Sequence, residues 1–208
     1  MGKIFLIRHG EVEWNRKSAY VGATDVPLNA AGQAQAVQLA SRLDGEQISA
    51  VYSSDLTRAR KTAEIIAERL GLKVHLTREL QEVDYGEWEG VLESEAPQRD
   101  PDIYRKWRAN PVEIRIPGGE TFGELRDRAF PAFCRIAQAH SNENVVIVSH
   151  KSTNRVILTC LLGINVNYYR RIGQGNACIN VIEVREDGSF AVEAINECCH
   201  SPVNNAVS

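Results

Sequence analysis

The chain has 208 residues, of which 43% are hydrophobic and 25% are charged, an ordinary size and composition for one compact globular domain. The formal net charge of -3 excludes a general basic surface for nucleic acid or for an anionic membrane. The apolar run near the amino end, IFLI, is too short for a signal sequence or a membrane span, and no later run is long enough. We therefore expect a single cytoplasmic domain over residues 1–208, without nucleic-acid or membrane partners.

The five cysteines are scattered and include one vicinal pair, Cys198 and Cys199. Their spacing matches no zinc or redox motif, and reduced thiols in a cytosolic protein explain them. The sequence therefore predicts no metal ion and no cofactor.

Short apolar strands alternate with helical patterns in the first part of the chain, which is typical of a layered α/β fold. Residues 3–7, 50–54 and 72–76 are predicted to be strands. Asn29 is the predicted N-cap of a helix whose apolar face carries Ala36, Leu39, Ala40 and Leu43. A second helix is predicted from about 56 to 70, where Gly71 ends it.

Four prolines between residues 86 and 119 restrict that segment to short helices separated by loops. A longer helix is predicted at about 121–139, a buried strand at 144–149, and a helix at 152–162 that Gly163 ends. Residues 177–184 and 190–195 are predicted to form an antiparallel edge hairpin through the turn at 186–189. The last dozen residues are polar and are interpreted as a surface tail.

Two histidines each follow a predicted buried strand directly: His9 and His150. In open, mostly parallel sheets the ligand crevice lies at the carboxyl ends of the strands, so two such strands can bring both imidazoles together. Arg8 adjoins His9, and Arg58 lies in the first turns of the helix after the second strand. Arginine suits bidentate contacts with phosphate oxygens. Glu82 follows the third strand; alone it would be interpreted as a surface acid.

These residues stand in a series of motifs that resembles the histidine phosphatase superfamily, the phosphoglycerate mutase-like proteins. The opening motif is Arg8-His9-Gly10-Glu11 with Trp14-Asn15, and an arginine motif and an acid motif follow in the family's order. The later matches are Gly22, Asp25, Pro27-Leu28, Gly32, Gln35-Ala36, Tyr52 to Ala59, Thr62-Ala63, Leu80-Gln81-Glu82, Gly86, Trp88-Glu89-Gly90, Gly118 to Thr121 and Val148-Ser149-His150. Several motifs in order along nearly the whole chain are a far more specific signal than one RHG tripeptide.

The resemblance implies an α/β three-layer sandwich with a mostly parallel central sheet flanked by helices and a small helical cap insertion at about 91–118. It also implies a phosphatase in which His9 attacks phosphorus and forms a phosphohistidine. Arg8, Arg58 and His150 would surround the equatorial oxygens, which makes a metal ion unnecessary. Glu82 would protonate the leaving alkoxide and then deprotonate the attacking water.

Four further residues are expected to contact the substrate: Asn15, Gly22, Tyr85 and Lys151. Asn15 matches a phosphate-binding position of the family. Lys151 departs from the family, many of whose members have glycine there; it is either a solvated residue at a helix start or a group that reaches an anionic part of the substrate. Val83 and Asp84 stand where the mutase branch has arginine and histidine, so a phosphatase is favoured over a phosphoglycerate mutase.

Several other functions compete with this interpretation. Trp14, Trp88, Trp107 and Tyr104 are interpreted as packing of the cap region, not as a stacking platform for bases. A non-catalytic phospholigand-binding module would be expected to have lost the catalytic set, and a protein phosphatase fits the small lid less well. Among small phosphomonoesters, phosphoserine is the best candidate substrate and α-ribazole phosphate the alternative. A homodimer is left open.

Overall fold

The computed structural model describes residues 1–198, which form one six-stranded sheet with helices on both faces. The strands are β1 (Gly2–Arg8), β2 (Ile48–Ser53), β3 (Val74–Leu76), β4 (Asn144–Ser149), β5 (Ile179–Val184) and β6 (Phe190–Glu197). The helices are α1 (Glu13–Arg16), α2 (Ala30–Arg42), α3 (Thr57–Leu70), α4 (Ala96–Arg99), α5 (Pro101–Ala109), α6 (Phe122–Ala139) and α7 (Lys151–Leu161).

The strands lie in the order β3-β2-β4-β1-β5-β6. The pairs β1–β4, β2–β4 and β2–β3 are parallel, whereas β5 is antiparallel to both β1 and β6. The predicted mostly parallel sheet and its antiparallel edge hairpin are therefore confirmed. β4 lies between β1 and β2 in the sheet, although it follows both of them in the sequence.

The two faces of the sheet build two separate cores, because successive side chains of a strand point to opposite faces. In β1, Ile4 and Leu6 belong to one core, and Phe5 and Ile7 belong to the other. Helices α2 and α3 cover the Phe5 face, and α6 and α7 cover the Ile4 face. This arrangement confirms the predicted three-layer α/β sandwich.

Capping residues set the helix ends that the sequence predicts. The Asn29 side chain accepts a hydrogen bond from the Gly32 amide at 2.8 Å and begins α2. Gly71 ends α3 with a φ of 68°, a left-handed conformation that glycine adopts without strain. Thr121 and Glu124 form a capping box at the start of α6.

Helices α4 and α5 occupy the segment predicted to be a cap, and their aromatic residues pack against the body of the protein. The rings of Trp88 and Trp107 meet edge to face at 5.3 Å, and Tyr104 packs against both. Trp14 was predicted to join this group, but it lies in a separate small cluster with Val12. The packing interpretation is therefore correct for three of the four aromatic residues.

Two further predictions concerned membrane spans and the carboxyl-terminal tail. Within residues 1–198, each helix is too short or too polar to cross a lipid bilayer. Nearly all of the predicted carboxyl-terminal tail, from Cys199 onward, lies outside the described residues.

Candidate active site

The site lies where β1 and β4 end side by side. Arg8 and Ser149 are partners in the parallel register of these strands, so the next residues, His9 and His150, leave the sheet together. Their ring centroids are 5.1 Å apart. From this point the chain runs from β1 towards one face of the sheet and from β4 towards the other. A crevice at such a switch point is the usual ligand site of an open α/β sheet.

His9 is held in one orientation and one tautomer. Its Nδ1 lies 2.6 Å from the carbonyl oxygen of Gly10. A carbonyl oxygen can only accept, so Nδ1 carries the proton and donates a hydrogen bond to it. The Nε2 lone pair is thereby left for another task. Burial lowers the pKa of His9 well below 6.5, and the positive charges of Arg58 and Arg8 lower it further. His9 is therefore a neutral imidazole at neutral pH, as a nucleophile must be.

Arg8 and Arg58 are buried cations that backbone carbonyls hold in place. Arg8 donates from Nη1 to the Gln174 carbonyl at 2.7 Å. Arg58, which is fully buried, donates from Nη1 and Nη2 to the carbonyls of Thr24 and Gly22 at 2.9 and 2.6 Å. Neither guanidinium forms an ion pair within residues 1–198. Burying a charge without a counter-charge is costly, so the pair is ready to receive an anion.

His150 completes the cationic and polar group around His9. It is fully buried, and neither ring nitrogen has a hydrogen-bond partner in the described part of the chain. Burial, with the nearby Arg58, lowers the pKa of His150 well below its usual value. A buried polar ring without a partner leaves its donor and acceptor for a ligand.

Glu82 lies at the amino end of α7, where its carboxylate accepts hydrogen bonds from backbone amides. Oε2 accepts from Ser152 N at 2.9 Å, and Oε1 accepts from Val83 N at 2.9 Å and from Thr153 N at 3.1 Å. The Thr153 hydroxyl donates to Oε1 at 3.2 Å. These donors fix the carboxylate at the wall of the cavity, beside His9.

A cavity of about 220 Å³ opens above His9, and its wall is rich in cations. The basic residues of the wall are Arg8, Arg108, Lys151, Arg155 and Arg170, and the acidic ones are Glu82 and Glu93. None of the basic residues forms an ion pair within residues 1–198. Burial and the charges of Arg8 and Arg155 lower the pKa of Lys151 to about 8. Such a cavity favours a ligand with more than one negative charge.

The structure brings most of the predicted site residues together. Asn15 and Tyr85 line the cavity, and the Tyr85 hydroxyl bonds to Ser152 Oγ at 2.8 Å. Lys151 lies in the cavity wall and is not a freely solvated helix residue. Arg58, His150 and Gly22 do not line the cavity itself. Arg58 and His150 are buried close to His9, and Gly22 lies behind Arg58 as a hydrogen-bond acceptor.

Sequence reasoning missed several residues of the wall. Arg155 follows Lys151 by one helical turn, so the i, i+4 spacing was a usable signal. Glu93, Arg108 and Arg170 had no such signal, because the cap segment brings the first two to the cavity and the short 3-10 helix Val166–Arg171 brings the third. Arg170 stacks on Trp107, with its guanidinium carbon 4.4 Å from the ring centroid.

The described residues also bear on metal binding. Residues 1–198 contain no group of three or more histidine, cysteine, aspartate or glutamate side chains that could hold a metal ion. The positive charges that face the cavity come from arginine and lysine side chains.

Comparison with known sequences identifies relatives along almost the whole chain. A phosphoserine phosphatase 1 of Hydrogenobacter thermophilus is 34% identical over 200 residues, which cover 96% of this chain and 94% of the relative. A probable phosphoglycerate mutase GpmB of Salmonella choleraesuis is 32% identical over 208 residues, with 96% and 95% covered.

Solved structures share the fold over a similar length. Bacillus stearothermophilus YhfR superposes with a TM-score of 0.88 at 28% identity, covering 96% of this chain and 99% of its own. A mutant phosphoserine phosphatase of Entamoeba histolytica in complex with phosphoserine gives 0.85 at 28%, with the same coverage. A putative alpha-ribazole-5'-P phosphatase of Escherichia coli gives 0.85 at 26%, covering 94% and 96%.

The family model of the histidine phosphatase superfamily, branch 1, matches residues 4–197, from the first central strand to the last edge strand. That span includes both histidines, both buried arginines and Glu82. With the sequence relatives and the shared fold, it shows that this chain belongs to the histidine phosphatase superfamily.

Proposed function

We propose that the protein is a metal-independent phosphatase that hydrolyses a small phosphomonoester through a phosphohistidine on His9. The observation that carries the proposal is the state of His9: a neutral imidazole, fixed through Nδ1, with its Nε2 lone pair beside two buried guanidinium groups that form no ion pair within residues 1–198. A neutral nitrogen nucleophile among fixed cations suits attack on a phosphoryl group, which carries negative charge on its oxygens.

The reaction then has two steps. In the first, His9 Nε2 bonds to phosphorus while the bond from phosphorus to the ester oxygen breaks, and Glu82 gives its proton to that oxygen. Arg8, Arg58 and His150 hold the three equatorial oxygens. In the second step, water gives a proton to the Glu82 carboxylate and bonds to phosphorus as the bond to Nε2 breaks. Inorganic phosphate leaves, and Glu82 is protonated again for the next turnover.

The preferred substrate is a phosphorylated carboxylic acid, with phosphoserine as the best candidate. The cations of the cavity exceed what one phosphoryl group needs, and Lys151 lies next to Arg8 in this wall. Its side chain suits a substrate carboxylate, and Glu93 suits an ammonium group in the same molecule. A relative and a structural neighbour named phosphoserine phosphatase support this choice.

The structure also supports a phosphatase over a mutase. Val83 and Asp84 occupy the positions where the mutase branch has arginine and histidine. Val83 is fully buried in a hydrophobic core, and Asp84 Oδ1 accepts from the Gly86 amide at 2.8 Å. Neither residue lines the cavity, so neither can hold a second phosphoryl group there. α-Ribazole phosphate remains the second candidate substrate, since a structural neighbour carries that name.

The experiment that tests the mechanism traps the covalent intermediate. Rapid quenching of the enzyme with labelled substrate should give an acid-labile, alkali-stable phosphoenzyme. His9→Ala should abolish both the label and turnover, and turnover should survive a saturating chelator. Full turnover by His9→Ala, or a chelator loss that magnesium restores, would refute the proposal. A hydrolysis screen of phosphoserine, α-ribazole phosphate, 3-phosphoglycerate and sugar phosphates then identifies the substrate.

A further inference from the structure

Arg128, on α6, holds the loop that carries Glu82. Its Nη1 donates to the carbonyls of Glu79 and Gln81 at 2.7 and 2.8 Å, and its Nη2 donates to the carbonyl of Glu82 at 2.9 Å. Nε and Nη2 also donate to the two carboxylate oxygens of Glu120 at 2.7 and 2.8 Å. A guanidinium has five N–H donors, so every donor of Arg128 is engaged.

Arg128 does not line the cavity above His9; it reaches the loop from the far side, where it borders a second surface groove together with Glu120. The Glu82 carboxylate itself is held from the other side by the amides at the start of α7. Arg128 therefore holds the backbone of residues 79–82 from one side. From the other side, Ser149 Oγ donates to the Leu80 carbonyl at 2.9 Å and Thr153 Oγ1 donates to the Gln81 carbonyl at 2.8 Å. Among these groups, Arg128 is the one that holds the carbonyl of Glu82 itself.

We infer that Arg128 is a positioning residue for proton transfer, which acts through the backbone of Glu82 and never touches the substrate. The inference rests on the proposed function, in which Glu82 protonates the leaving oxygen. A general acid must lie within hydrogen-bond reach of that oxygen, and displacement by about 1 Å can cost on the order of 100-fold in rate. Glu120 orients Arg128 through the paired hydrogen bonds, so it contributes to the same clamp.

The test compares substrates whose leaving groups need a proton to different extents. Arg128→Met should lower kcat/KM for phosphoserine by about 30-fold, since misplacing a catalytic group by a fraction of an ångström has an intermediate cost. The ratio kcat/KM reports formation of the phosphoenzyme, whereas kcat also includes its hydrolysis, in which Glu82 acts alike for every substrate. For p-nitrophenyl phosphate, whose leaving group needs little protonation, kcat/KM should fall about threefold or less. Arg128→Lys keeps the charge but cannot span five acceptors from one nitrogen, so its loss should be intermediate.

Arg135→Met is the matched control, because Arg135 lies on the same helix and pairs with Glu79 of the same loop through an exposed side chain. It should behave as the native enzyme on both substrates. Glu120→Gln provides a second variant if Arg128→Met does not fold, and it should show a smaller loss with the same dependence on the leaving group.

Glu82→Gln in the same assay tests the proton-donor role of Glu82 separately from the positioning role of Arg128. If Glu82→Gln loses equally on both substrates, the proton-donor role in the proposed function is wrong. If Glu82→Gln is selective but Arg128→Met loses equally on both substrates, only the positioning inference is overturned. Native activity of Arg128→Lys would also overturn it, because charge alone would then suffice.

Discussion

Lys151 gives the sharpest prediction, because function and stability should respond to its removal in opposite directions. The side chain is largely buried in a cavity wall beside Arg8 and Arg155. It has no ion pair with a carboxylate in residues 1–198. Lys151→Met keeps the length and most of the apolar stem of the side chain and removes the charge.

The expected change in the free energy of unfolding follows from the lowered pKa of Lys151. Folding lowers the pKa of Lys151 from 10.5 to about 8, chiefly through burial. Each unit corresponds to 1.36 kcal/mol, so the cation destabilises the free protein by about 3 kcal/mol at neutral pH. Lys151→Met should therefore raise the free energy of unfolding by on the order of 1–3 kcal/mol. The gain should shrink between about pH 8 and pH 10.5, where the native protein loses this proton and the unfolded chain keeps it.

The expected loss of binding free energy for phosphoserine is similar in size to the expected gain in the free energy of unfolding. Losing a hydrogen bond to a charged group in a partly buried site costs about 1.5–3 kcal/mol, so kcat/KM for phosphoserine should fall by roughly tenfold or more. p-Nitrophenyl phosphate lacks a carboxylate and should be almost unaffected. In the native enzyme, the preference for phosphoserine should also decline as the pH rises through about 8, because Lys151 becomes neutral.

Urea denaturation without phosphate and initial-rate assays on both substrates measure these effects. A destabilised Lys151→Met protein would contradict the burial argument. Equal losses on both substrates would instead assign Lys151 to the phosphoryl group or to the fold. If neither rate changed, α-ribazole phosphate would become the substrate to test next.

Two further predictions concern the histidines and Gly22. The pKa values of His9 and His150 lie well below 6.5, so the unfolded chain binds two more protons in acid, and stability should fall below about pH 6.5 with a slope of up to about 2.7 kcal/mol per pH unit. Urea melts should show this slope and its halving in His150→Asn; an unchanged slope would mean that His150 is already protonated in the fold. A Cβ at Gly22 would overlap the Glu89 carboxylate and lie 2.7 Å from the Val83 carbonyl. Gly22→Ala should therefore displace the carbonyl that holds Arg58, lower the free energy of unfolding by about 1–3 kcal/mol and reduce kcat; native kinetics would contradict this.

The sequence predicted local structure well wherever one residue decides it. Asn29 begins α2 and Gly71 ends α3, because a side-chain acceptor and a left-handed conformation act within a few residues. Helix α1 was not predicted, since its four residues are too few for a periodic pattern and its N-cap, Val12, has no conventional capping side chain. It nevertheless positions Asn15 at the cavity.

The candidate site was predictable in its chemistry and only partly in its geometry. The strand-end positions of His9 and His150 indicated a shared crevice, but the sequence does not show that β4 lies next to β1. The role of Arg128 could not be predicted, because it depends on three carbonyl groups whose directions a sequence does not record. Gly22 was assigned to the substrate because the family motif alone does not separate a ligand contact from a contact with Arg58.

The place of β4 has a consequence for how the enzyme is made. A ribosome delivers β1 and β2 long before β4, yet these two strands are never neighbours in the finished sheet. Until residue 149 has emerged, both strands present an open edge to other chains, and the contacts that join them have a large sequence separation. Insertion of β4 closes both edges and brings His150 to His9 in one event. A nascent or truncated chain that ends before β4 lacks His150 and leaves these two strand edges unpaired, so we expect it to be inactive and prone to aggregation.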